Sequence, residues 1–176
     1  MGKSHYQTPE MMEHVLALLM PANRLVARVM LITGLRISDV LKFRKEEVQR
    51  CMRVREQKTK KLRTVRLPQG LVDELRGDGK PGWCFPGWRD PERHRTRQAV
   101  WSDFCRAAKL LRLKQVSPHS CRKTFSVDYY KKHGLEKTQK ILNHENPEIT
   151  LLYALSDVIS SDSHRNRRKN GDNRKK

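Results

Sequence analysis

The sequence predicts a mainly α-helical fold with one small antiparallel β-hairpin, an α+β class. Two observations carry this. Apolar residues recur at helical spacing in several segments along the chain, and a single stretch, residues 51–67, switches to a period of two. Gly and Pro then punctuate the boundaries between these segments.

Taken in order, Thr8 followed by Pro9 is a helix N-cap and first-turn signal, and "PEMMEHVLALLM" places Met12, Val15, Leu16 and Leu19 on one face. A second apolar helix fits "NRLVARVMLITG" and closes at Gly34. After "LRISDVLKFRKEEV" the pattern alternates: Met52 and Val54 between charged residues, then Leu62, Thr64 and Arg66 interleaved with Val65 and Leu67. This is a hairpin turning through "QKTKK". Residues 77–97, rich in Gly, Pro, Trp and charge, read as a long connection over the surface. Helical pattern returns in "RQAVWSDFCRAAKLLRL", in "HSCRKTFSVDYYKKHG" with Gly134 as its stop, and in "LEKTQKILNH". Pro147 opens a short helix carrying Tyr153. Residues 159–176 form a basic tail with no apolar face, expected to be disordered in isolation.

A chain of 176 residues suits one domain with a short tail. Its 38 Lys and Arg against 19 Asp and Glu give a net charge of +19, more than solubility requires. The first partner this implies is a polyanion, most often nucleic acid. No stretch approaches the roughly 20 apolar residues a bilayer needs, and the start "MGKSHY" has Tyr6 where a myristoylation signal wants Ser or Thr. The chain is expected to be soluble, with no membrane partner. Cys51, Cys84, Cys105 and Cys121 form no C-x-x-C pair, so neither structural zinc nor a disulfide framework is expected, and reduced thiols place the protein in the cytoplasm or nucleoid.

The chemistry-bearing residues fall in four short motifs. "TGLRISDVL" puts Arg36 and Asp39 at a corner after Gly34. "REQKTKKLRTVRL" puts Lys58 at the hairpin turn, "SPHSCRKTF" spaces His119 and Arg122 three apart on one helical face, and "LNHENPEITLLY" adds His144 and Tyr153. Singly these motifs are weak. His-x-x-Arg describes many solvated helix edges, "TGLRISD" fits a Gly-terminated helix followed by another with Arg36 bonded to Asp39, and Tyr153 alone fits a core position. Lys58 sits among Lys60, Lys61 and Arg63, where local chemistry reads only phosphate-facing charge. In combination, the six residues Arg36, Lys58, His119, Arg122, His144 and Tyr153 resemble the catalytic set of the tyrosine recombinases, the phage integrase family of site-specific DNA recombinases, in order and approximate spacing.

The resemblance implies a catalytic domain over residues 1–158 with the tyrosine-recombinase fold. It implies DNA strand cleavage and rejoining through a covalent 3′-phosphotyrosine at Tyr153, with no cofactor, metal or ATP. Two arginines suit the task, since an anionic phosphodiester gains further charge in its pentacoordinate transition state and guanidinium groups neutralise it with fixed forked donors. By the family mechanism Lys58 is the general acid for the leaving 5′-oxygen, His119 the candidate base for the tyrosine, and His144 a donor to a non-bridging oxygen. Asp39 has a supporting role, bracing the active-site arginine. Double-stranded DNA is the implied partner, with a homotetramer on DNA and accessory DNA-bending proteins beside it. Phosphate contacts are expected from Lys42, Arg44, Lys60, Lys61, Arg63, Arg93, Arg95, Arg97 and Lys123; residues 42–66 hold eleven Lys or Arg against three Glu.

Two departures stand out. "HSCRK" replaces the common His-x-Leu-Arg-His, putting Cys121 and Lys123 in the third and fifth places. The helical clamp domain that most members carry before the "TGLR" motif is expected to be absent, as in a catalytic fragment or a minimal single-domain recombinase. Integrase or invertase of a mobile element is the expected role. Type IB topoisomerase-like relaxation and a non-catalytic DNA-binding module remain the other readings.

Overall fold

Helix starts are set by groups that meet the first unpaired backbone N–H donors. In the computed structural model, which describes residues 4–142, α1 spans Pro9–Leu18 behind Thr8, whose Oγ1 accepts from the Met11 N–H at 3.3 Å. α2, Pro21–Thr33, has no side-chain cap of its own. A residue far along the chain supplies one: Asp103 Oδ2 accepts from the Met20 N–H and from Asn23 Nδ2, each at 2.8 Å, and Arg106 holds the other carboxylate oxygen at 2.6 Å. α3 is the single turn Ile37–Val40. Strands β1, Cys51–Arg55, and β2, Leu62–Arg66, pair antiparallel with Met52 opposite Val65 and Val54 opposite Arg63. α4 covers Gln69–Arg76 and α5 covers Arg97–Leu110, the latter capped by Thr96 Oγ1 on the Ala99 N–H at 3.1 Å. α6 is Pro118–Leu142, broken by non-helical backbone at Gly134. The expected class, mainly helical with one antiparallel hairpin, is the observed one.

The chain divides into two compact units, Met1–Phe125 and Ser126–Lys176. The first has a continuous apolar core to which α1 gives Met12 and Val15, α2 gives Val26 and Met30, β2 gives Val65, α4 gives Leu71 and Leu75, and α5 gives Phe104. Cys121 is fully buried there and fills the family's leucine place as a small hydrophobe. In the second unit, the Tyr129 ring lies tilted on His133 with centroids 4.3 Å apart, and Thr138 Oγ1 donates to the Gly134 carbonyl at 2.7 Å.

The hairpin obeys the period of two. Arg63 and Val65 face inward, while Cys51, Arg53, Arg55, Leu62, Thr64 and Arg66 are exposed. α4 is an addition to the sequence reading: its eight residues are fewer than a periodicity window needs, and Gly70 in its first turn hides it. The connection from 77 to 96 is largely exposed, yet it is stapled inward by fully buried Phe85 and by the Cys84 N–H donating to the Phe43 carbonyl at 2.9 Å. Among the described residues no helix is long and apolar enough to cross a membrane. All four cysteines are free thiols. His144, the helix expected from Pro147 with Tyr153, and the basic tail lie outside the described residues.

Gly34 ends α2 in the left-handed conformation, φ +64°, its N–H returning to the Met30 carbonyl at 2.8 Å. A β-carbon here would sit 2.2 Å from Phe125 Cδ1. Gly34→Ala therefore meets both backbone strain and overlap with a ring, and a loss of roughly 2–5 kcal/mol is expected. Urea denaturation checks this, with an unchanged midpoint as the contrary result.

Candidate active site

The turn at Gly34 leads through buried Leu35 to Arg36, the N-cap residue of α3. The Thr33 hydroxyl secures the corner, donating to the Val29 carbonyl at 2.7 Å and accepting from the Leu35 N–H at 3.2 Å. The Arg36 side chain is about one-fifth exposed, at 22 %. The second arginine comes from α6. That helix begins with a reciprocal pair: Ser117 Oγ accepts from the His119 N–H, and Ser120 Oγ accepts from the Ser117 N–H, both at 3.3 Å. Arg122, one turn on, is buried, and its Nη1 donates to the Gly34 carbonyl at 2.5 Å. One glycine thus orients both guanidinium groups, one by chain direction and one by hydrogen bond.

Lys58 lies on the turn between β1 and β2, exposed, with the turn closed by Glu56 N–H to Lys61 O at 3.0 Å and Lys60 N–H to Glu56 O at 2.9 Å. Lys60 takes a positive φ of 59° to make it. The turn is tied to α3. Asp39 Oδ1 accepts from the Gln57 N–H at 3.0 Å, and Arg36 Nη1 donates to Glu56 Oε2 at 2.5 Å. The Asp39 N–H donates to the Arg36 carbonyl at 2.9 Å, and among the described residues no hydrogen bond joins the Asp39 carboxyl to the Arg36 guanidinium. Glu56 reaches the guanidinium because the hairpin closes over it, whereas the Asp39 carboxylate faces the turn backbone.

Glu56 is fully buried, and burial by itself would push its carboxyl up. The hydrogen bond and charge of Arg36, with Arg122 and Thr59 adding, outweigh that and hold it below the ordinary glutamate range, so it is a carboxylate. Burial raises the Asp39 carboxyl above its ordinary value, against the Gln57 N–H. Its Oδ2 is buried with no hydrogen-bond partner among the described residues. His119 is held down to about 4, first by desolvation of its ring and then by the positive charges of Lys123, Arg122 and Arg36. The residue keeps an exposed surface, so water limits the first effect, and the cations are what a bound anion would offset.

The expected phosphate contacts divide. Lys42, Lys60, Lys61, Arg93 and Arg97 are exposed. Arg44 is half-buried with its guanidinium 4.1 Å above the Trp83 ring, and Arg95 is half-buried. Arg63 departs from the expectation: it points into the protein, donating to the Thr33 carbonyl and facing Glu56 at 3.7 Å, because its strand register puts it on the inner face. Lys123 also turns inward, its Nζ donating to the Ser4 carbonyl at 2.5 Å. Sequence reasoning missed Glu56, whose signal was a lone acid within a run of cations. It also left Arg53, Arg55 and Arg66 undistinguished on the outer face of the hairpin, where the two-residue period would have grouped them. Among the described residues, no three His, Cys, Asp or Glu side chains gather as a metal-holding group.

A helical fold that brings an arginine pair, a histidine and a lysine-bearing hairpin turn to one corner is that of a tyrosine recombinase catalytic domain. Its architecture matches lambda integrase, solved as a dimer bound to a COC′ core site, with a TM-score of 0.71 at 16% identity over 87% of this chain and 48% of that one. The chain belongs to the phage integrase family, whose model matches residues 4–158. It is 30% identical over 128 residues to the Bacillus subtilis protein named "Probable integrase/recombinase YoeC", covering 69% of this chain and 70% of that protein. It is also 30% identical over 164 residues to the integrase of Escherichia phage P2, covering 88% of this chain and 46% of the phage protein. The chain thus spans about half the length of the lambda and P2 integrases.

Without DNA, His119 is expected to be neutral at pH 7, with an NMR titration midpoint below pH 5, assigned by loss of the resonance in His119→Gln. A lowered histidine pKa favours the folded state only while the ring is neutral. Its contribution is complete above 6.5, the ordinary value, and lost as pH falls from there toward about 4. Duplex DNA should move the midpoint upward. A midpoint at 6.5 that ignores DNA is the contrary result.

Proposed function

We propose that this chain is the catalytic domain of a site-specific DNA recombinase of a mobile element, an integrase or invertase, that breaks and rejoins strands through a 3′-phosphotyrosine at Tyr153. The observation that carries the reading is the joint placement of Arg36 and Arg122 by Gly34, with the Lys58 turn tied to the same corner. In this reading both arginines bind the non-bridging oxygens of the scissile phosphate, where negative charge grows as the fifth oxygen arrives. The Tyr153 oxygen attacks phosphorus as its proton passes to His119. The bond to the 5′-oxygen breaks, and Lys58 protonates that oxygen.

His119 starts neutral, as a base must, and the incoming phosphate offsets the cations that depress it, so substrate binding itself strengthens the base. His144 donates to a non-bridging oxygen. The phosphotyrosine retains the bond energy, so a 5′-hydroxyl from another strand reverses the step without ATP. Charge stabilisation by guanidinium groups makes a divalent metal unnecessary. The partner is duplex DNA, as in the lambda integrase complex, engaged by a tetramer with accessory DNA-bending proteins. Exposed Arg53, Arg55 and Arg66 beside Lys60 and Lys61 give the hairpin a cationic outer face for phosphates.

The test is incubation at low salt with nicked duplexes of randomised sequence, followed by SDS and sequencing of the DNA that stays attached. The expected result is covalently attached DNA sharing one motif, lost in Tyr153→Phe while binding stays within about twofold. Attachment that persists in that variant would relocate the nucleophile. The yield is expected to be unchanged by EDTA, and abolition by chelation would overturn the metal-free mechanism.

A further inference from the structure

We infer that Glu56 is a positioning residue that holds the Arg36 guanidinium and the Lys58 turn in one geometry, so that a single buried carboxylate places both the phosphate clamp and the proton donor. The inference rests on the recombinase reading above and adds to it a residue outside the six-residue set.

The turn and α3 are joined by several hydrogen bonds, and Glu56 is at their centre. Its side chain is fully buried. Oε2 accepts from Arg36 Nη1 at 2.5 Å and from Thr59 Oγ1 at 3.1 Å, so it links the start of α3 to the residue that follows Lys58. Its backbone N–H and carbonyl close the turn on Lys61 and Lys60. Gln57 adds its N–H to Asp39 and its Nε2 to the Ser38 carbonyl, the latter at 3.4 Å. Lys58 itself is exposed and makes no hydrogen bond among the described residues. The backbone beneath it is thus fixed while its amine stays available.

A buried ion pair is a poor way to gain stability, because desolvation consumes most of the attraction. What a carboxylate offers is direction: it fixes the plane of a guanidinium through a charged hydrogen bond, and displacement of such a group by about 1 Å costs on the order of a hundredfold in rate. Thr59 and the turn closure transmit the same constraint to Lys58.

The test compares the unmutated chain, Glu56→Gln and Thr59→Val in single-turnover cleavage of the DNA that the unmutated chain attaches. Each protein is given three versions of the scissile linkage. The natural phosphodiester needs both arginines and a proton donor. A methylphosphonate is neutral and relaxes the demand on Arg36. A 5′-bridging phosphorothiolate expels a thiolate and relaxes the demand on Lys58. Glu56→Gln is expected to cleave the natural linkage about a hundredfold more slowly, with DNA affinity within about threefold, and each modified linkage should recover at least tenfold of the loss. Thr59→Val should show the same pattern at smaller size, and serves if the first variant does not fold. An equal loss on all three linkages, as general weakening of the fold would give, overturns the inference. So does an unchanged or faster rate, the latter marking Glu56 as a competitor for Arg36. Failure of the unmutated chain to attach any DNA overturns the recombinase reading, and this inference with it.

Discussion

The Gly34 carbonyl accepts the buried guanidinium of Arg122 at 2.5 Å, and most of the site geometry depends on that bond. A helix C-terminus leaves carbonyls without partners, and this one is met by a charged donor from a helix far along the sequence. The bond requires the left-handed turn at Gly34, and the turn requires glycine because the Phe125 ring occupies the space of a β-carbon. The same turn sends the chain through Leu35, an anchor in the core, to Arg36. Local helix termination and long-range arginine placement are thus one event.

Around this corner the electrostatic balance is uneven by construction. Arg36, Arg63 and Arg122 act on the carboxylate of Glu56, and Arg36 and Arg122 with Lys123 still leave His119 in a positive field. Desolvation makes each of these interactions stronger than it would be at the surface and makes any unmatched charge expensive. In the proposed reaction the scissile phosphate supplies the balancing negative charge. Under that proposal, the fixed guanidinium groups are the preorganised donors that transition-state stabilisation demands.

The hairpin serves two purposes through its alternation. Its inner face gives Val65 to the core and Arg63 to the network beneath the site, and its outer face carries Arg53, Arg55 and Arg66 in the open. Shifting the register by one residue would exchange these roles, so the pairing of Val54 with Arg63 fixes which cations are structural and which are available to a ligand.

The sequence by itself determined the class of fold, the helix stops at Gly34 and Gly134, the hairpin and its turn, and the motif set that marks the family. These are local properties, carried by apolar spacing, caps and glycine conformation, and they need no knowledge of what packs where. Tertiary structure decided the rest. Arg63 and Lys123 looked like surface charge because composition cannot say which cation in a run faces inward. Glu56, twenty residues from Arg36, becomes the partner of its guanidinium only when the hairpin folds back on α3. α4 was too short for its period to register, and the α2 start needed Asp103 from another helix. Apart from α4, the deciding partner in each case lies far off in sequence, and burial, which removes water as the competing partner, gives that contact its strength.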